Sequence, residues 1–313
     1  MAVLEELVER GILMGYFEQG EWRTGWYPSD SQGRFLRPPT TFRQQLKAGA
    51  VEKGRYHLYV SWACPWAHRT LIARELLGLH DYFSVGVVDW LLDDDGWAFR
   101  PEPEQLYGFS FLREAYLKAQ PDYTGRVTVP VLWDKQQERI VNNESRQILR
   151  MMTTAFEQNP LELAPEERRE EIDQILDAIY DPINNGVYRA GFATSQQAYD
   201  EAIGELFEAL DGWDEVLARQ PYLLGQQLSE ADLCMFTTLI RFDPVYFVHF
   251  KCSRRRIADY PHLSSYLKRL YALEAFARTC NFDHIRHHYY ESHRRVNPHG
   301  LVAAVTQGTI GLT

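Results

Sequence analysis

The sequence predicts two unlike halves, an α/β domain followed by an all-helical one, and three observations carry that prediction. Strand and helix patterns follow the order β-α-β and then β-β-α between Tyr56 and Thr153. Beyond Thr153 strand patterns largely stop and apolar residues recur at helical spacing. The chain has 313 residues, room for two ordinary domains, and its 45% hydrophobic content is ample for their cores.

Residues 1–54 hold Trp22, Trp26, Tyr27, Pro28, Gly33, Pro38 and Pro39 with little periodicity. They read as an irregular arm packed on the first domain, because disordered tails are poor in aromatic residues. Tyr56 to Val60 reads as a strand, and the helix after it carries Leu71, Ile72, Ala73, Leu76 and Leu77 on one apolar face. A second strand near Tyr82 to Val88 completes a β-α-β unit, which implies parallel pairing. The insertion from Asp89 to Asp122 is longer than an ordinary connection, often a mark of function. Next come a strand over Arg126 to Asp134 entered through Val129-Pro130, a hairpin partner at Arg139-Ile140-Val141, and a helix opened by Asn142-Asn143-Glu144-Ser145.

This order over residues 55–153 is that of a thioredoxin-like domain. A proline before the third strand of such a domain is commonly cis and leaves backbone groups free to pair with an extended peptide; an ordinary edge-strand proline gives the same pattern. A Pro-containing acidic linker near residues 153–165 leads into the helical domain, residues 165–313. Its helices show in the spacing of Ile172, Ile175, Leu176 and Ile179, and of Ala202, Leu206, Ala209, Leu210, Trp213 and Leu217. Ser229 and Asp232 form a capping box with Leu228 and Leu233 as its staple, and a further helix starts at His262.

A net charge of −10 argues against a nucleic-acid partner, and the run Arg254-Arg255-Arg256 reads as a solvated face. No apolar run reaches membrane-spanning length, and Glu5, Glu6, Glu9 and Arg10 stand where a signal peptide would need a basic start and an apolar centre. A cytoplasmic location is the expectation. Cys64, Cys234, Cys252 and Cys280 have neither metal-ligand spacing nor the density of a disulfide scaffold, so no metal is expected.

Cys64 is the residue whose setting suggests chemistry. It stands where a strand turns into a helix, with Pro65 suited to the first helical position. Free helix N–H groups should then face its sulfur and lower the thiol pKa. The alternative is a buried structural cysteine, a common state for this residue. Ala67 stands where a two-cysteine redox motif would have its second thiol, so a reactive Cys64 needs a resolving thiol from outside the chain. His68, one turn along, is a neighbouring residue rather than the base, and His287, His288 and His293 form no metal pattern.

A thioredoxin-like half joined to a helical half with a Ser-x-x-Asp cap resembles the glutathione transferase superfamily. Within it, Cys-Pro-Trp-Ala at 64–67, Gly-Arg-Val-Thr-Val-Pro-Val-Leu-Trp-Asp at 125–134 and Asn-Asn-Gly-Val-Tyr-Arg-Ala-Gly-Phe-Ala at 184–193 are similar to the glutathionyl-hydroquinone reductases, the Xi class. So are Arg-Phe-Asp-Pro-Val-Tyr at 241–246 and Asn-Phe-Asp-His-Ile-Arg-His-His-Tyr-Tyr-Glu-Ser-His at 281–293. The stretch from Gly300 to Thr313 departs from the family pattern.

The resemblance implies reduction of glutathionyl-hydroquinones with glutathione as thiol donor, through a Cys64–glutathione mixed disulfide that a second glutathione resolves. It implies Tyr188 and Tyr289 as acids at the ring hydroxyls, although most of the eighteen tyrosines must be packing residues; Tyr290 is the weaker choice. For glutathione, Val129 before Pro130 would pair with the cysteinyl backbone, Glu144 would take the α-amine and Ser145 the adjacent carboxylate. Arg126 would meet a carboxylate. Trp97 would cover the tripeptide, and a core position fits it equally well. The family implies a homodimer. A general thiol transferase or dehydroascorbate reductase using the same Cys64, or a non-enzymatic interaction module, are the competing readings, and the tyrosine pair separates the first from the reductase.

Overall fold

The computed structural model describes residues 14–49, 51–156 and 161–304. Glu5, Glu6, Glu9 and Arg10, the middle of the 153–165 linker and the tail beyond residue 304 lie outside the described residues. The arm is not wholly irregular, because β1 (Gly15–Glu18) and β2 (Glu21–Thr24) form an antiparallel hairpin. Two four-residue strands, one largely exposed, are too short to leave a readable period.

The central strand β3 (Tyr56–Val60) is buried at all five positions, including His57, whose ring lies 2.7 Å from the Ser84 hydroxyl. Helix α1 (Pro65–Leu76) returns the chain to β4 (Phe83–Val87), which pairs with β3 in parallel. The insertion then folds into a small hairpin, β5 (Leu92–Asp93) and β6 (Gly96–Trp97), turned at Gly96 with φ of 84°. It also contains a helix that the sequence reading passed over, α2 (Leu112–Ala119), which buries Leu112, Ala115 and Tyr116 at i, i+3 and i+4 spacing.

Strand β7 (Gly125–Arg126) pairs with β1 and joins the arm to the domain. Strands β8 (Val131–Asp134) and β9 (Arg139–Asn142) complete a four-stranded sheet of order β4-β3-β8-β9, and α3 (Ser145–Thr154) packs against α1. The Val129–Pro130 bond is cis. The sheet and its helices have the thioredoxin-like order.

The second half is helical: α4 (Arg169–Ile179), α5 (Gly186–Gly191), α6 (Gln196–Leu217), α7 (Glu230–Arg241), α8 (Pro261–Tyr271), α9 (Glu274–Ala277) and α10 (Phe282–Ser292). Every residue of α7 is buried. Two wide π turns, Tyr180–Asn184 and Phe242–Tyr246, each contain an Asp-Pro pair. Proline has no N–H to donate and its ring needs room in the preceding turn, which a wider winding supplies. These turns aim Asn184 and Tyr246 inward, and both residues are buried.

Side chains seal the junction between the halves. Glu230 of α7, fully buried, receives Arg150 of α3 at 2.8 Å and a short bond from the Thr153 hydroxyl. The arm also reaches across: Arg34 pairs with Glu201 at 2.8 Å and Thr194 N donates to Gly33 O at 2.9 Å. The arm therefore packs on both domains.

The predicted capping box is present, with Ser229 N donating to Asp232 at 2.8 Å. Asp232 further accepts Leu223 N at 2.9 Å and the Tyr266 hydroxyl at 2.9 Å. Replacing Asp232 with Ala leaves those buried donors unpaired and is expected to cost about 3 kcal/mol of stability. The check is a lower denaturation midpoint at an unchanged slope.

Candidate active site

Cys64 is the N-cap residue of α1 and Pro65 its first helical residue, as the spacing requires. The Trp66 and Ala67 amides face the sulfur, and the thiol donates to Val129 O at 3.5 Å. The expected drop in thiol pKa is not what the structure gives. Burial pushes the Cys64 thiol above its ordinary value, and the two amides with the charges of Arg241 and Arg37 offset this only in part. A helix terminus acts over a single turn, whereas removal from water acts on the whole thiolate.

Cys64 nevertheless opens onto a cleft walled by both halves of the chain and by the N-terminal arm. It keeps 8% of its surface exposed, whereas Cys234 and Cys252 keep none. Cys280 donates to Phe276 O and does not line the cleft. Arg37, Trp66, Trp97, Tyr188 and His288 are among the residues around Cys64.

The two predicted tyrosines meet. The Tyr188 and Tyr289 hydroxyls lie 2.6 Å apart, and Tyr289 is also 2.9 Å from the hydroxyl of Tyr246. Their positions differ from the expectation that both phenols reach a substrate. Tyr188 lines the cleft, while Tyr289 and Tyr246 are fully buried behind it. Burial pushes Tyr188 and Tyr289 well above the ordinary phenol pKa and Tyr246 up to about 12, so all three are neutral hydrogen-bond donors at physiological pH. Tyr290 points elsewhere and donates to Pro244 O at 3.3 Å.

An adjoining groove, sharing Arg37, Trp66, Thr128 and Val129 with the cleft, brings Val129, Pro130, Glu144 and Ser145 together. Glu144 is the N-cap of α3, and its carboxylate accepts Arg146 N at 3.2 Å and Gln147 N at 2.9 Å. The Ser145 hydroxyl accepts from Arg69 at 3.2 Å. Trp97 lies in the cleft wall, stacked on His288 at 5.1 Å and 23°.

Arg126 has main-chain partners that the sequence does not announce. It lines the cleft, but its terminal nitrogens donate to the carbonyls of Met14, Gly15, Gly25 and Trp26 at 2.5–3.4 Å. In this structure it holds the arm in place, and no carboxylate meets it among the described residues. A sequence cannot show this, because the partners are main-chain atoms of a segment about 100 residues away.

His68 is buried, with Nε2 2.9 Å from the Thr279 hydroxyl and Nδ1 accepting from Arg241 at 3.0 Å, so neither nitrogen serves Cys64. His288 places Nδ1 at 2.8 Å from Trp90 O, and His293 packs 3.2 Å from His249. Among the described residues no group of acidic, histidine and cysteine side chains could hold a metal ion.

Tyr246 and Arg37 back or line the site and were not singled out from the sequence, and His288, considered there only as a metal ligand, lines the cleft. Tyr246 had a usable signal, since the Phe242-Asp243-Pro244 turn repeats the Tyr180-Asp181-Pro182 turn that leads to Tyr188.

A thioredoxin-like sheet and a helical half meeting around one cysteine define a cysteine-type glutathione transferase. Family models agree, with the glutathione S-transferase N-terminal domain matching residues 63–155 and the C-terminal domain matching residues 196–269. The chain is 47% identical to the glutathionyl-hydroquinone reductase YqjG of Escherichia coli K12 over 310 residues, 93% of this chain and 94% of the relative. It also superposes on a Xi-class transferase structure from Natrialba magadii with a TM-score of 0.87 and 50% identity, covering 94% and 93% of the two chains. The glutathione-bound structure of E. coli YqjG matches with a TM-score of 0.79 and 50% identity, covering 81% of this chain and 85% of that one. This chain belongs to the glutathionyl-hydroquinone reductases, the Xi class of glutathione transferases.

A raised thiol pKa leaves little thiolate at neutral pH in the free protein. Alkylation of Cys64 by iodoacetamide, followed by peptide mass, is expected to climb with pH through and beyond the ordinary cysteine range. A plateau below about pH 7 would mean that the amides and guanidiniums outweigh burial.

Proposed function

We propose that this chain reduces glutathionyl-hydroquinones to hydroquinones, with Cys64 as nucleophile, Tyr188 as the proton donor at the substrate and Tyr289 as the donor behind it. The observation that carries this reading is the hydroxyl chain Tyr188–Tyr289–Tyr246 beside the cysteine, with bonds of 2.6 and 2.9 Å. Exchange between disulfides needs a thiolate and a good leaving group and has no use for a row of phenols. Removal of sulfur from an aromatic ring does need acids, because an aryl carbanion is a very poor leaving group.

The steps balance as follows. Ketonisation moves the proton of a ring hydroxyl to the sulfur-bearing carbon, with Tyr188 hydrogen-bonded at the oxygen. The Cys64 thiolate attacks the glutathione sulfur, the S–S bond forms and the C–S bond breaks. The bonding pair passes through the ring to the ketone oxygen, which leaves as a hydroquinone oxyanion and takes a proton. A second glutathione thiolate then attacks the Cys64 mixed disulfide, giving oxidised glutathione and the Cys64 thiolate.

For the tripeptide, Val129 and Pro130 offer the backbone edge, Glu144 and Ser145 the γ-glutamyl end, and Trp97 a wall. Arg126 contributes its charge to the cleft while it holds the arm. Pairing as a homodimer is part of the proposal, in keeping with the family. Glutathione as reductant and a free nucleophilic thiol suit the reducing cytoplasm.

Purified protein with glutathione and a glutathionyl-hydroquinone should yield free hydroquinone and oxidised glutathione, and no turnover would end this reading. Cys64→Ser is expected to abolish the reaction with the fold intact. Tyr188→Phe is expected to slow it by about 100-fold or more and to affect a simple glutathione mixed disulfide far less. Equal losses on both substrates would remove the phenols from proton donation.

A further inference from the structure

We infer that Arg37 is a further catalytic residue, whose Nη2 receives the oxyanion of the departing hydroquinone. The inference rests on the reductase reading above and assigns that reaction a cation supplied by the N-terminal arm.

The guanidinium of Arg37 is held flat within the protein. It lies 4.8 Å from the Trp66 ring centroid, 4.8 Å from Tyr188 and 5.2 Å from Phe35, and its Nε donates to Asn185 Oδ1 at 2.7 Å. Three rings and one amide fix its plane, so the remaining nitrogens have a set direction. Nη2 is buried and has no hydrogen-bond partner. A buried charged donor without an acceptor is costly to keep, and Nη2 is set apart from the Nε atoms of Arg69, Arg286 and Arg294, which also lack a partner, by belonging to a residue that lines the Cys64 cleft. Arg37 lines both the Cys64 cleft and the adjoining groove, and among the described residues it has no carboxylate partner.

Arg69 provides a contrast on the same indole. Its guanidinium also lies over Trp66, at 4.5 Å, but both its terminal nitrogens are taken, by Ser145 at 3.2 Å and Asn184 at 2.9 Å. Adjacent asparagines thus orient the two arginines; the buried nitrogen left without a partner is the inner Nε in Arg69 and the terminal Nη2 in Arg37.

The reaction moves one negative charge from the Cys64 sulfur to a ring oxygen. A fixed cation acting on both Cys64 and Tyr188 attracts that charge at its start and at its end, and Arg37 lowers the pKa of both groups. Tyr188 can donate only one proton. A charged second donor is what an oxyanion next to a single neutral phenol lacks.

The test compares kcat for a glutathionyl-hydroquinone and for the mixed disulfide of glutathione with 2-mercaptoethanol, at saturating glutathione, in wild type, Arg37→Gln and Arg37→Lys. The disulfide releases a thiolate and no oxyanion. Arg37→Gln is expected to lower kcat on the aryl conjugate by about 100-fold, at least about tenfold more than on the disulfide, with Arg37→Lys recovering part of the difference. Equal losses on both substrates, a change in KM alone, or no change would each overturn the assignment. If Arg37→Gln does not fold, Arg37→Lys decides, since it keeps the charge and loses the planar fork, and its loss must still be greater on the aryl conjugate. A wild-type protein that turns over the disulfide and not the aryl conjugate would instead defeat the reductase reading itself.

Discussion

The geometry of the site depends on Arg241. This side chain is fully buried, and it donates to Ala63 O at 2.9 Å, Trp62 O at 3.1 Å, Thr237 O at 2.8 Å and His68 Nδ1 at 3.0 Å. It is the last residue of α7, where the negative end of the helix dipole favours a cation. Ala63 and Trp62 immediately precede Cys64, so the helical half holds the cysteine loop of the sheet half by its backbone. The bond to His68 fixes that ring with its lone pair on Nδ1, leaving Nε2 to donate to Thr279. Removing the guanidinium from water is costly, and four hydrogen bonds engaging all three of its nitrogens offset that cost. The cleft exists because this contact sets the two halves in register.

A second feature follows from charge. The chain carries −10 overall, yet Arg37 and Arg126 line the cleft, and Arg69 and Arg241 are buried close to it through their bonds to Ser145 and Ala63, all four without a carboxylate partner among the described residues. Elsewhere arginines are commonly paired, as Arg55 is with Asp134 and Arg150 with Glu230. Carbonyls, amides, a hydroxyl, an imidazole and aromatic faces hold the four without neutralising them, and Arg37 Nη2 and Arg69 Nε are left without a hydrogen-bond partner. A low-dielectric cleft so lined attracts an anionic tripeptide and lowers the energy of the anions formed during sulfur transfer.

Much of this was legible in the sequence because it is local. A cysteine before Pro65, a Glu-Ser step between strand and helix and the Ser229/Asp232 box each act within a turn of the chain. What escaped was long-range or very short. The four-residue strands of the arm offered no period. The spacing of Leu112, Ala115 and Tyr116 did mark α2, but it sat inside a stretch read as one long insertion. Arg126 and Arg37 took their roles from the arm, whose path no periodicity describes. For the tyrosines, the residue types were readable, and their order of approach to the cleft was a matter of tertiary packing.

That order limits the proton chemistry. A hydroxyl has one proton, so Tyr289, bonded on both sides, donates to one neighbour and accepts from the other. When Tyr188 donates into the cleft it must accept from Tyr289, and Tyr289 must then accept from Tyr246. Each phenol thereby makes its neighbour a better donor, as hydrogen-bond chains do in a low dielectric. Should the proton be passed fully, each hydroxyl replaces its loss from the one behind, and the charge moves away from the leaving oxyanion. It would come to rest on Tyr246, where the field of Arg241 already pulls against the effect of burial. The residue that fixes the cysteine loop therefore also acts on the far end of the phenol row.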